Sequence, residues 1–208
     1  FDLLELHNAH GYLGHEFLSP LSNRRKDRYG GDLNGRMRFS LELAEIVRSV
    51  WPEDKPLFAR VSSVDGVEGG WTLDDTVALA KEFKARGVDV LDCSSGGLLG
   101  SATAARVKRG PGFQVPFAER VRRDSGIKTM AVGLLIEPEH AEKILQSEQA
   151  DLIAIGREAL YNPNWALHAQ VALGCDGNFE SWPVQYGWWL DKRQHMLVRD
   201  AERTKATA

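Results

Sequence analysis

Cysteine is scarce in this chain. Cys93 and Cys175 are the only two in 208 residues, which excludes a fold stapled by several disulfides and makes a reducing cytosol the expected compartment. Long apolar runs are missing as well. None approaches the ~20 residues that a membrane-crossing helix needs, so no membrane segment is expected. Neither sign of charge dominates: 26 Lys and Arg stand against 29 Asp and Glu, a formal net charge of -3 with pI near 6.1. That balance argues against nucleic acid or a membrane surface as partner. Low-complexity stretches, short repeats and a secretory leader are not seen. The chain also lacks a lead-in. It opens on Phe1 rather than Met, and Phe1 to Leu6 already has the pattern of a buried strand, from which an N-terminal truncation is expected.

What is present is a hydrophobic content of 43%, enough for a core of one domain or two. Short apolar runs at Phe1–His7, Leu57–Val61, Val88–Cys93, Lys128–Val132 and Asp151–Ile155 alternate with helical patterns. The first run is followed by a polar loop. A helix is then expected over Met37–Val50, with Phe39, Leu43, Ile46, Val47 and Val50 near one face. Thr72 and Asp75 look like the start of a helix that stops at Gly87. Further helices are expected over Val115–Arg123, from Pro138 to Gln146 and from Pro163 to Leu173, with a charged helical end after an aromatic cluster. Near-continuous apolar strands separated by amphipathic helices indicate parallel βαβ units of an α/β protein. A doubly wound open sheet and a TIM-type (β/α)8 barrel both remain open; 208 residues fit the last five of eight barrel units. The expected division is a partial barrel over 1–181, strands 4 to 8, and an extension over 182–208.

Polar residues cluster where these strands end: His7, Arg60, Cys93 to Ser95, Gly133 and Gly156 with Arg157. In a barrel such ends share the rim that carries the active site. The densest group is His7-Asn8-Ala9-His10-Gly11-Tyr12. Two imidazoles can hold a carbonyl oxygen and stabilise charge that develops on it, and a neighbouring phenol can deliver a proton. The same H-x-x-H could supply two metal ligands, with Glu5 or Glu16 nearby, or could be structural. Arg60 could equally be a rim salt bridge. Cys93 has the setting of a small buried hydrophobe, and Ser94-Ser95-Gly96-Gly97 lacks a nucleotide-binding pattern and suits a rim loop.

The run from Phe17 to Gly31 (FLSPLSNRRKDRYGG), read after His-x-x-His-Gly-Tyr-Leu and before Arg36-x-Arg38-Phe39, resembles the Old Yellow Enzyme family of flavin oxidoreductases. The resemblance continues through Phe58-Ala59-Arg60-Val61-Ser62, Asp92-Cys93-Ser94-Ser95-Gly96, Ala131-Val132-Gly133 and Ala154 to Leu160. The His-His pair and Pro183-Val184-Gln185-Tyr186 are similar to the bacterial thermophilic-like branch. The resemblance implies a barrel enzyme with FMN and NAD(P)H as cofactors, reducing small electron-poor alkenes or nitro compounds, with full-length relatives homo-oligomeric. It implies that His7 and His10 bind the substrate oxygen, that Tyr12 is the proton donor, and that Arg60 sits at the flavin pyrimidine edge. Gly133, Leu134, Gly156 and Arg157 would meet the FMN phosphate, where glycines at consecutive strand ends also allow close backbone approach.

Two rivals remain at this point. A phosphate-binding barrel lyase or isomerase would be expected to put a lysine at a strand end, whereas Lys128 is at a strand start. An inactive fragment or assembly subunit is the other, because three strands that carry flavin contacts in the family are absent; weak or no FMN binding by the chain alone is expected. Trp188 and Trp189 stand where relatives often place an Arg that reaches a neighbouring subunit, and are expected to form an aromatic wall, or else to pack in a core or dimer.

Overall fold

The computed structural model describes residues 1–98 and 107–206. Strands β1 (Leu4–Asn8), β2 (Leu57–Ser62), β3 (Val90–Ser94), β4 (Lys128–Val132) and β5 (Leu152–Ala154) pair in that order, all parallel, in one five-stranded sheet. Helices α1 (Leu13–Leu18) and α2 (Leu33–Val50) follow β1, α3 (Leu73–Ala85) follows β2, α4 (Val115–Ser125) follows β3 and α5 (Pro138–Gln146) follows β4. After β5 come α6 (Arg157–Tyr161), α7 (Trp165–Ala172) and α8 (Val184–Ala206). Consecutive parallel neighbours joined by helices are the arrangement of successive units of a (β/α)8 barrel. Two compact units result: residues 1–136 with 140–155, and residues 137–139 with 156–208.

The pleat sorts the first unit's residues between two faces. One row of register partners is Leu6, Ala59 and Leu91, and another is Asn8, Val61, Cys93, Ala131 and Ile153. Their apolar members pack with Phe83, Leu79, Ala118 and Ile144 in the core beneath the helices. Each fully buried Leu or Phe contributes about 1.5–3 kcal/mol. The intervening row is His7, Arg60, Asp92, Met130 and Leu152, which therefore lies on the opposite face. Cys93 is buried and free among the helix-facing residues.

Three elements differ from the sequence expectation. The polar loop after β1 contains α1, whose Phe17 stacks on Phe39 with ring centroids 4.3 Å apart. Helix α2 starts at Leu33 because Asp32 caps it, accepting from the Gly35 N–H at 2.8 Å. Its core stripe is Met37, Ser40, Leu41 and Ala44; Ile46 and Val50 are exposed, while Leu43 and Val47 are only partly buried. Of the five residues that the periodicity put near one face, Leu43 and Val47 pack against the core and Ile46 and Val50 do not. Ser40, polar and easily left out of a stripe, is buried because its hydroxyl donates to Asn8 Oδ1 at 2.9 Å. The third is the short α6, which follows Gly156.

The arginine-rich run is held as a loop by its own neighbours. Asn23 Nδ2 donates to the Phe17 and Tyr29 carbonyls at 2.6 and 2.7 Å. Arg36 donates to the Leu18 and Gly31 carbonyls at 3.0 and 2.8 Å, and Arg38 to the Arg28 carbonyl at 2.9 Å. Helix α3 opens with a capping box: Thr72 and Asp75 bond each other's backbone N–H at 2.9 and 3.2 Å. Thr72→Ala is expected to lower stability by about 1 kcal/mol, read as a shift in the urea midpoint at unchanged slope.

Candidate functional site

The first unit's site begins where β1 runs out. His10 and Gly11 both take left-handed backbone conformations, φ 61° and 77°. The His10 N–H donates to Ser62 Oγ at 3.0 Å, and Ser62 Oγ passes on to the Gly96 carbonyl at 2.7 Å. Tyr12 then caps α1 through its backbone, with no side-chain cap bond. A Cβ on Gly11 would fall onto the Gly97 carbonyl oxygen, and one on Gly97 onto the His10 backbone, so the turn after β1 and the loop after β3 touch main chain to main chain. Gly11→Ala adds a left-handed penalty to that clash and is expected to destabilise by about 2 kcal/mol, measured by denaturant unfolding.

This turn gathers three rings. The His7 centroid lies 5.4 Å from those of both His10 and Tyr12. His10 Nε2 lies 2.7 Å from Ser94 Oγ. Burial of the imidazole, reinforced by the positive charge of Arg60, pushes the His10 pKa down to about 4. Partial burial, then Arg60 and His15, also lower that of His7. His10 is therefore uncharged near neutral pH, one ring nitrogen a donor and the other an acceptor. A neutral imidazole beside a cation can hold a carbonyl oxygen without first giving it a proton.

Arg60 stands next to His7 in register, with Asp92 next to Arg60. Arg60 Nε is 3.0 Å from Asp92 Oδ2, close enough for an ion pair but not aligned as an N–H···O bond, and Asp92 Oδ1 has no partner. Burial pushes the Asp92 pKa up to about 7 against the pull of Arg60. The strand-end salt bridge that the sequence allowed for Arg60 is thus present, with Asp92 as its partner.

At the next strand end, Ser95 Oγ donates to Gln114 Oε1 at 2.6 Å and Gln114 Nε2 to the Val132 carbonyl at 3.0 Å. Gly133 follows with φ 131° and Leu134 with φ 53°. A side chain on Gly133 would press on the Phe113 ring. Gly156 and Arg157 belong to the second unit, where Gly156 precedes α6 and both are exposed. In that unit Trp182 and Phe179 are buried, with Trp182 against His168 at 5.0 Å. Trp188 and Trp189 meet edge to face on α8 with both rings largely exposed, so neither is a core residue of this chain.

Sequence reasoning singled out His7, His10, Tyr12, Arg60 and the strand-end Ser94, and it missed most of the residues that bond them or their backbone. Ser62 and Asp92 break apolar strands near their ends, a signal that was available. Gln114, His15 and Asp65 carried no local signal. Among the described residues, no group of three His, Cys, Asp or Glu side chains is placed to hold a metal ion, and no described helix is long and apolar enough to cross a membrane.

The chain is 48% identical to an NADPH dehydrogenase of Halalkalibacterium halodurans over 174 residues, 84% of this chain and 50% of that protein. It is 48% identical to the NADPH dehydrogenase of Geobacillus thermodenitrificans over 190 residues, 90% of this chain and 53% of that one. It thus spans about half the length of these curated relatives. Among solved structures, 2-naphthoyl-CoA reductase in complex with 2-naphthoyl-CoA matches with TM-score 0.73 and 28% identity over 86% of this chain and 27% of that one. Morphinone reductase in complex with tetrahydroNAD matches with TM-score 0.62 and 26% identity over 84% and 44%. A family model covers residues 1–174, and with these relatives it establishes that the chain belongs to the NADH:flavin oxidoreductase / NADH oxidase family.

Proposed function

We propose that this chain carries the substrate-anchoring and proton-donating part of an FMN-dependent, NAD(P)H-driven ene-reductase. The observation that carries the reading is the meeting of His7, His10 and Tyr12 around one strand end, beside Arg60 on the same sheet face. NADPH dehydrogenase relatives and a reductase neighbour support the redox class.

The residues present suit a flavin mononucleotide. Arg60 offers a fixed positive charge that favours an anionic ring edge, and the unpartnered Asp92 Oδ1 beside it leaves polar capacity unused. Gly133 brings bare backbone to the end of β4. Gly133 and Leu134 are the residues of the first unit proposed to meet the phosphate. FMN, when bound, supplies hydride transfer between nicotinamide and substrate. The chain does the rest. Neutral His7 and His10 hold the electron-withdrawing oxygen of an enone, maleimide or nitroalkene and orient the double bond. Tyr12 holds a proton at its hydroxyl oxygen and delivers it to the substrate's α-carbon. A lyase or isomerase using a strand-end lysine is disfavoured, because Lys128 is the first residue of β4.

FMN titration followed by visible absorbance, then anaerobic NADPH oxidation with and without an enone, tests the reading. The chain by itself is expected to bind FMN weakly, since His7 and Leu152, on the two edge strands of that sheet face, are exposed, and the flavin-loaded polypeptide is expected to reduce the alkene. Full flavin loading of that polypeptide without reduction of any of the three substrate classes would refute the proposal.

A further inference from the structure

The His10–Gly11–Tyr12 turn is held from beneath by a buried polar group that nothing in the proposed chemistry uses. The Gly11 N–H donates to Nδ1 of His15 at 3.0 Å. With Nδ1 accepting, the ring proton sits on Nε2, which donates to Asp65 Oδ1 at 2.8 Å. The His15 and Asp65 side chains are 0% and 1% exposed. Asp65 Oδ2 accepts from Ser19 Oγ at 2.6 Å and from the Trp71 N–H at 2.7 Å. Burial alone would push the Asp65 carboxyl up, but these donors outweigh it and hold the pKa below its usual range. Asp65 is thus a fixed anion on the loop after β2 that sets the tautomer and ring direction of a histidine on α1.

We propose that His15 and Asp65 are a positioning pair: through the Gly11 amide they fix where His10 and Tyr12 stand relative to His7. The proposal rests on the ene-reductase reading for its functional meaning. Its structural basis is separate. A left-handed histidine followed by a left-handed glycine is not a turn the backbone keeps unaided. Here both amides of the pair are tied to side chains of other elements, His10 to Ser62 and Gly11 to His15. Releasing the Gly11 tie lets the turn relax and moves the Tyr12 ring, and a displacement of about 1 Å at a reacting group can cost ~10²-fold in rate.

Two substitutions separate the two bonds of the imidazole. His15→Gln puts an amide nitrogen near the Nε2 position, keeping the Asp65 contact and losing the Gly11 one. His15→Asn puts an amide oxygen near the Nδ1 position, keeping Gly11 and losing Asp65. Amide hydrogen exchange of Gly11 and the steady-state constants of the flavin-loaded protein are measured for each. His15→Gln is expected to speed Gly11 exchange at least tenfold and to lower alkene-reduction kcat by roughly 10–10²-fold, with NADPH-driven flavin reduction unchanged. His15→Asn is expected to keep Gly11 protection and most of kcat while losing thermal stability. If His15→Gln does not fold, Ser19→Ala, which removes only a donor to Asp65, should lower Tm and leave kcat intact. Wild-type Gly11 protection and kcat in His15→Gln would overturn the proposal. So would kcat losses that follow Tm alike in all variants. Wild-type protein that loads flavin but reduces no alkene would instead overturn the ene-reductase reading, and Gly11 exchange in His15→Gln would still decide whether the pair holds the turn.

Discussion

Tyr12→Phe is expected to lower alkene-reduction turnover by about 10²–10⁴-fold, the range for losing a positioned general acid, while the rate at which NADPH reduces the bound flavin stays the same. The contrast between the two half-reactions is informative because the substitution should be structurally silent. Tyr12 is 66% exposed and its hydroxyl caps nothing, so the change in folding stability should stay within about 0.5 kcal/mol. The phenol ring that packs near His7 is retained, and only the oxygen is lost. Rapid-mixing measurement of the oxidative half-reaction with an enone gives the rate directly. A Phe variant that reoxidises as fast as wild type would remove Tyr12 from the chemistry and leave water or another group as proton source.

The strands were legible because each is a short apolar run bounded by turn residues, and the register that followed put His7 beside Arg60. The proposed site residues were legible for a different reason: they are polar groups at strand ends, where apolar pattern gives way. What escaped were groups whose partners are remote in sequence. His15 meets Asp65 across 50 residues, Ser40 meets Asn8 across 32, and Asp151 accepts from the Thr129 N–H across 22. Apart from the partly exposed Asp151, each is a buried polar residue made tolerable by a partner that only the fold supplies. The apolar stripe read on α2 was incomplete on the same point. Ser40 and Ala44 reach the core because they are small and close to the sheet, and a hydrophobicity pattern passes over both in favour of Ile46 and Val50. Cys93 was read correctly as buried, although strand-end position alone would have put it at the rim; the pleat turns it to the helices.

Asp92→Asn is expected to change the slope of stability against pH. The carboxyl of Asp92 is pushed up to about 7 from an ordinary value of 3.8, so between those values the folded protein binds more protons than the unfolded chain. Stability from this group is therefore complete at the acid end and is lost as pH rises through about 7, amounting to ~4 kcal/mol for a three-unit shift. His10 acts in the opposite sense. Its pKa falls from 6.5 to about 4, the unfolded chain binds more protons between those values, and stability rises with pH across them. In the native protein the two slopes largely cancel. Asparagine removes the falling one, so the variant should match wild type near about pH 4 and gain on it progressively to about pH 8, by up to ~4 kcal/mol. Urea midpoints across that range give the difference curve. A flat curve would mean that Arg60, 3.0 Å away, holds Asp92 ionised throughout. A rising one means that at neutral pH the carboxyl cancels only part of the Arg60 charge, so the guanidinium faces the His7 side of the sheet as a net cation. A net cation there is what neutral His7 and His10 require beside them if they are to hold a developing negative oxygen as donors without becoming charged themselves.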